Sequence, residues 1–367
     1  MMHIFSRAVL IAAALTICTG THARQRQPEL KFNPDGTFKV VQFTDTHIRT
    51  TLPDEAKAVY DRMDCIVASE KPDLIVLTGD VVTVKPAAPE WERLISRLDS
   101  YQVPWCVVFG NHDEEQDLTR AEMSSLITAG RFSMNSLDKK SGELDDVELP
   151  VAASAAAAAD AKGNGFYVFC MDSHADAVLD GKGCYDWFSP AQVQWMRDRC
   201  SARTADDGSL AQSLAFFHIP LREYIDAWAD HDDPREGTWS STKTLGIRGE
   251  CICCAELNTG MFAAMKEGGS VVGVSVGHDH DNDFAAAYHG IAMCYGRFSG
   301  ANTVTNHLPG GARVFLMREG VRGFESWIRE DSGRILWHMA FDGEKIIRAP
   351  RDRSKAFGTW FEVPRGK

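Results

Sequence analysis

The sequence is short of positive charge. Its 39 Lys and Arg face 51 Asp and Glu, a formal net charge of -12 with His neutral. A balance this acidic argues against a binder of a phosphate backbone, so no nucleic-acid-binding surface is expected. Small anionic substrates stay open, because bound divalent cations reverse a local field. Bilayer-length apolar runs are missing too: Ala8–Cys18 (AVLIAAALTIC) is too short to span a membrane comfortably. No transmembrane segment is therefore expected once that stretch is removed. Internal repeats and interdomain linkers are also absent, and the 367 residues, 44% hydrophobic and 25% charged, read as one ordinary globular domain over 24–367.

The N-terminus has the parts of an export signal. Arg7 supplies a positive start, Ala8–Cys18 the apolar stretch, and Thr21-His22-Ala23 small residues at the positions a signal peptidase reads. The reading is a signal peptide over 1–23, cleaved after Ala23, and a periplasmic or extracellular protein. Lipid anchoring at Cys18 fits less well, because Ile17 is bulky where a small residue is required. Nine cysteines remain in the mature chain. Cys106, Cys170 and Cys294 sit in apolar, strand-like runs and read as buried thiols. Cys184 and Cys200 are plausible disulfide partners, as are members of the 251/253/254 group, since an exported chain can oxidise. That group lacks a second spaced Cys or His pair, which argues against structural zinc.

Five apolar runs end alike. Phe38–Phe43 runs into Thr44-Asp45-Thr46-His47, Asp73–Thr78 into Gly79-Asp80, and Val103–Phe109 into Gly110-Asn111-His112-Asp113. Ser213–Phe217 runs into His218-Ile219-Pro220, and Ser270–Val276 into Gly277-His278-Asp279-His280. Runs of this length bounded by Gly and Pro read as buried strands. Ligands in open α/β sheets bind beyond the carboxyl ends of strands. If the five strands share one sheet, their tips gather carboxylates, imidazoles and an amide at one place.

Between them, Glu55–Glu70 and Pro89–Leu98 have a helical period, giving β-α-β-α-β and parallel neighbours. Leu118–Ile127, Ser189–Arg199 and Asn258–Lys266 also read as helices, the second with Ser189 as N-cap. Asp145–Ala153 and Phe166–Met171 read as strands joined by a hairpin at Asn164-Gly165. Residues 24–35 read as an unstructured lead-in and 222–250 as a long polar loop. Short strands follow at Ile291–Tyr295, Ala312–Met317, Gly323–Arg329 and Ile335–Phe341.

Asp45, His47, Asp80, Asn111, His218, His278 and His280 make seven plausible ligands, the number two adjacent metals need if a carboxylate of Asp80 bridges them. Imidazole and carboxylate together suit Fe, Zn or Mn. Two such ions activate a nucleophile and clamp an in-line displacement at phosphorus. An amidohydrolase would more naturally open with His-x-His, whereas this chain opens with Asp-x-His. A binding protein without catalysis would be expected to have lost ligands. His3, His22, His174, His231, His289, His307 and His338 lack such partners and are set aside.

The five blocks resemble those of the calcineurin-like metallophosphoesterase family, over about residues 38–330. FFHIPL, GHDHDNDF, CYGR and GARVF resemble its secreted, purple acid phosphatase-like branch. The resemblance implies an α/β class fold, a four-layer α/β/β/α sandwich of two mixed sheets with a dinuclear metal site at the strand carboxyl ends. It implies one metal on Asp45, His47, Asp80 and His280, the other on Asp80, Asn111, His218 and His278, and a catalytic His112 at the leaving group or the phosphate. True purple acid phosphatases carry Tyr three residues after the bridging Asp. Thr83 stands there, so no ferric-phenolate colour is expected. Asn111, His112 and Arg297 are the expected substrate contacts. The activity expected is hydrolysis of small phosphate monoesters by a hydroxide that the metals activate. A phosphodiesterase or nucleotide hydrolase on the same metals is the alternative.

Overall fold

From Thr37 to Val108 the chain alternates strand and helix as its apolar pattern requires. A first short strand, β1 (Leu30–Lys31), precedes β2 (Thr37–Phe43), α1 (Pro53–Glu70), β3 (Leu74–Thr78), α2 (Ala88–Ser100) and β4 (Trp105–Val108). The computed structural model describes residues 27–154, 165–202, 211–229, 237–301, 303 and 307–349. The expected signal peptide over 1–23 and the Asn164 half of the expected hairpin lie outside them. Helix α1 opens on Pro53, whose missing N–H costs nothing in a first turn. It ends at Lys71, which turns left-handed (φ 50°) ahead of Pro72. Helix α3 (Arg120–Ala129) starts two residues later than its periodicity suggests, because a capping box sets the boundary. Glu122 N–H donates to Thr119 Oγ1 and Thr119 N–H donates to Glu122 Oε2.

The chain continues through β5 (Val147–Ala152), β6 (Phe166–Cys170), a ribbon of β7 (Asp176–Leu179) and β8 (Lys182–Tyr185), and α4 (Pro190–Ser201). Ser189 caps α4 as its sequence predicts, in a second capping box with Gln192. Next come β9 (Gln212–Phe216), α5 (Glu223–Ala229), β10 (Gly237–Ser240), β11 (Thr244–Arg248), α6 (Met261–Gly268) and β12 (Val271–Val276). The last part is β13 (Ala285–Tyr288), β14 (Ile291–Tyr295), β15 (Gly311–Arg318), β16 (Phe324–Glu330), β17 (Ile335–Phe341) and β18 (Ile346–Arg348).

Two large mixed sheets result. One runs β18-β17-β16-β15-β2-β3-β4, the other β1-β5-β6-β9-β12-β14-β13-β11-β10. Strands β2, β3 and β4 are parallel, as are β6, β9, β12 and β14. The inner strands bury most of both faces, hence their mainly apolar runs. On β3, Leu74 and Val76 face the other sheet, while Ile75 and Leu77 pack with Val59, Met63 and Trp91 of α1 and α2. The inter-sheet core holds Phe38, Val40, Phe216 and Phe315, the last two edge to face at 5.4 Å. Met196, Tyr224, Trp228 and Met265 of α4, α5 and α6 cover the outer face of the larger sheet. The layers are helix, sheet, sheet, helix, the architecture the resemblance implied.

Four expectations change. The five ligand-bearing strands do not share one sheet: β2, β3 and β4 belong to the smaller and β9 and β12 to the larger. The stretch 222–250 is not all loop; Tyr224, Ala227 and Trp228 recur at helical spacing and bury α5, and β10 and β11 follow. The lead-in contains β1, which pairs in parallel with β5. Cys184 and Cys200 are thiols rather than disulfide partners, as are Cys251, Cys253 and Cys254; Cys200 is buried between Met196 and Ser270.

Candidate metal centre

The loops past the strands are locked to one another before they present any side chain. Asp45 N–H donates to Gly79 O (3.1 Å), His47 N–H to Asp80 O (2.9 Å) and Ile48 N–H to Val81 O (2.9 Å). Asp113 is fully buried, and its carboxylate accepts from the backbone N–H groups of Asp80 (2.9 Å), Val81 (2.8 Å) and Gly110 (2.8 Å). It is therefore a clamp between the β3 and β4 tips, not a partner of the adjacent His112. Asp45, His47, Asp80 and His278 all adopt positive φ (51°, 41°, 52° and 76°), a conformation a non-glycine residue keeps only where its surroundings impose it. Gly79 and Gly110 are required by space: a Cβ on the first would overlap the His218 ring, and on the second the Asp80 carboxylate.

Two clusters form, each drawing residues from the tips of both sheets. Asp45, His47 and His280 form one, Asp80, His218 and His278 the other. Asp80 joins them, its Oδ2 lying 3.6 Å from His47 Nε2 and 3.3 Å from His218 Nε2. Its Oδ1 accepts from His112 N–H at 2.8 Å, which fixes the carboxylate plane. Asn111 Oδ1 sits 3.2 Å from His218 Nε2, and His280 Nε2 3.5 Å from Asp45 Oδ1. All seven expected ligands are thus brought together.

The donor set fits cations. His47 Nε2 and His278 Nε2 are buried yet have no hydrogen-bond partner, which is costly unless another group uses them. His218 donates from Nδ1 to Thr78 O at 2.7 Å, leaving Nε2 as the acceptor, and His280 Nδ1 meets Thr303 Oγ1 at 2.8 Å; such outer contacts orient ligating imidazoles. Burial pulls His47 down to about 4 and His278 to about 3, so both are neutral, the form that ligates. Asp45 and Asp80 resist their burial and stay ionised, held below the usual range chiefly by His280 and His218. His218 is buried as well, but the charge of Asp80 outweighs that and lifts it to about 10; a cation beside Asp80 competes for the same lone pair.

The clusters open into a cavity of about 460 Å³. His112 lines it, half exposed, with Nδ1 2.9 Å from Glu115 Oε2. Its burial works against the charged ring, but Asp80 and Glu115 outweigh that and raise its pKa. Arg297 does not reach the cavity. It is 1% exposed, pairs with Asp283 at 2.8 Å and donates to Pro309 O, so the expected substrate contact is corrected to a buried structural ion pair. Thr83 lines the cavity where the purple enzymes would carry tyrosine. Tyr295 is buried with its hydroxyl donated to Asp279 (2.6 Å); the tyrosine that does line the cavity is Tyr185, its ring edge to face with His278 at 4.5 Å. Arg49, Glu250, Cys253 and Thr303 complete the wall. Sequence reasoning assigned none of these four residues to the site. Only Arg49 carried a signal, two positions past His47.

The calcineurin-like phosphoesterase family matches residues 38–282, and the chain belongs to it. It is 29% identical to "Probable inactive purple acid phosphatase 29" of Arabidopsis thaliana, over 79% of this chain and 78% of that one. It is 24% identical to the phosphatase DCR2 of Saccharomyces cerevisiae, over 82% of this chain but 55% of the longer yeast protein. A dimetal phosphatase from Danio rerio shares the fold, with a TM-score of 0.52 at 15% identity, over 80% of this chain and 96% of that one.

Proposed function

We propose that the chain is an exported metal-dependent phosphoesterase that hydrolyses small phosphate monoesters. The observation that carries this reading is the placement of Asp80 Oδ2 between His47 and His218, one carboxylate oxygen shared by two ligand clusters. Asp45, His47, Asp80 and His280 would hold one ion, and Asp80, Asn111, His218 and His278 the other. Once bound, two such ions supply Lewis-acid charge for the phosphoryl oxygens and lower the pKa of a water.

The rest is done by the protein. Asn111 and His112 follow each other at the β4 tip, so an ester seated beside Asn111 lies next to an imidazole. His112, held by Glu115, donates a proton to the departing alkoxide or holds positive charge beside it. Asp113 keeps that loop against the Asp80 loop, which fixes the spacing between ligand and acid. The name of the plant relative calls that protein inactive, whereas every expected ligand of this chain is present and assembled. Export rests on residues 1–23; among the described residues, no helix is long and apolar enough to cross a membrane.

The test is hydrolysis of p-nitrophenyl phosphate, its bis-ester and nucleotides, with and without chelator. The proposal predicts chelator-sensitive turnover with the monoester fastest. A faster bis-ester would make the enzyme a phosphodiesterase, and no turnover of any ester would remove the enzymatic reading.

A further inference from the structure

With Arg297 committed elsewhere, the cavity needs another permanent cation if a phosphate dianion is to be held by more than its metals. Among the described residues that line it, Arg49 is the one Arg or Lys; its other charged groups are imidazoles and the carboxylates of Asp80, Glu115, Glu250 and Asp279. Arg49 is set on a rigid backbone. Ile48 N–H donates to Val81 O (2.9 Å), Thr83 N–H donates back to Ile48 O (3.2 Å), and Leu52 N–H closes a turn onto Arg49 O (2.9 Å). The loop that carries Arg49 is therefore stitched to the loop that carries Asp80.

The side chain is also held. Arg49 Nη2 lies 2.9 Å from Glu55 Oε2, in the first turn of α1 and outside the cavity wall. Glu55 grips one edge of a planar group that has five N–H donors and suits two-point contact with a phosphate. The Arg49 side chain is one-third exposed (33%) and lines the cavity. His47, two residues earlier and lining the same cavity, packs against His112 (5.7 Å between rings) and His280 (5.2 Å).

We propose that Arg49 positions the substrate: its guanidinium donates to a non-bridging phosphate oxygen on the His47 side of the cavity, and Glu55 holds it in place. This rests on the phosphoesterase reading and adds a residue the ligand pattern does not contain. A charge-assisted contact to a dianion outweighs one to a monoanion, so the effect should be larger for a monoester than for a diester.

The experiment uses full-length, metal-loaded protein as wild type, Arg49→Gln, Arg49→Lys and Glu55→Gln. It reads inorganic phosphate binding by calorimetry, kcat and KM for p-nitrophenyl phosphate and its bis-ester, bound metal and melting temperature. Arg49→Gln should weaken phosphate binding and raise the monoester KM by about 10–100-fold, with a smaller change for the bis-ester. Arg49→Lys should recover part of the loss, and Glu55→Gln should show a weaker version of it. Bound metal and melting temperature should stay near wild type, because a partly exposed ion pair adds little stability. Unchanged phosphate affinity in Arg49→Gln overturns the proposal, as does a loss traced to missing metal. If wild type binds phosphate but turns over neither ester, the enzymatic reading fails while calorimetry still decides Arg49. If it binds no phosphate, both fail.

Discussion

Asp80, His112 and Arg297 show what a residue's place in the chain does and does not disclose. Asp80 was legible as a bridge, because a carboxylate straight after a buried strand and a glycine has few dull uses. His112 was legible as the histidine left over once the ligands were counted. Its carboxylate partner was not, since Asp113 is nearer in sequence but turns inward to the backbone N–H groups of Asp80, Val81, Val82 and Gly110, leaving Glu115 as the partner. For His112→Asn the expected outcome is intact metal content and a kcat loss of roughly 10²–10⁴. That loss should be smaller for p-nitrophenyl phosphate, whose leaving group needs little protonation, than for an alkyl phosphate. Equal losses on both esters would favour electrostatic positioning over proton donation. Arg297 behaves differently. Its removal takes the paired cation from the buried Asp283, and such breaks cost about 3–5 kcal/mol. Arg297→Met should therefore unfold at markedly lower denaturant while the KM of the folded fraction stays near wild type. A raised KM with normal stability would return Arg297 to the substrate.

At the scale of elements, the largely buried strands were the easiest to read, because β3 and β4 are almost wholly apolar and β2, β9 and β12 are apolar with few polar interruptions. The β7–β8 ribbon was not legible. Its residues have no buried face, and cross-strand pairing alone defines it, yet it carries Tyr185 to the cavity. Strand β13 (AAAY) was missed because alanine favours helix; only pairing with β11 and β14 makes it a strand. The start of β5 supplies a pH prediction. Asp146 accepts from Asp172 N–H, and burial lifts its pKa to about 6 from an ordinary 3.8, with the Asp172 charge adding to the rise and the Asp172 N–H, Gln192 and His174 opposing it. The folded state then binds more protons than the unfolded state between those two values. Stability from this group is present below about pH 4 and lost as pH rises to about 6. Asp146→Asn should raise the melting temperature at pH 7, and the gain should shrink to nothing near pH 4. A gain that persists at pH 4 would point to packing rather than ionisation.

For the whole molecule, the decisive arrangement is two sheets face to face, three ligand-bearing tips from one and two from the other. The order of the five motifs identified the tips, but only the packing of Phe216 on Phe315 and its neighbours brings their loops within ligand distance. Net charge of -12 suits this layout, since the site's positive field would come from its ions rather than from Lys and Arg. The central claim is a site of two cations sharing Asp80. Its most direct measurement is a titration of metal-free protein with Mn²⁺ or Zn²⁺, following bound metal and p-nitrophenyl phosphate hydrolysis in the same samples. The account predicts that activity climbs steeply with the second equivalent and levels off at two ions per chain. A plateau at one ion, or two tightly bound ions with no hydrolysis, would contradict it.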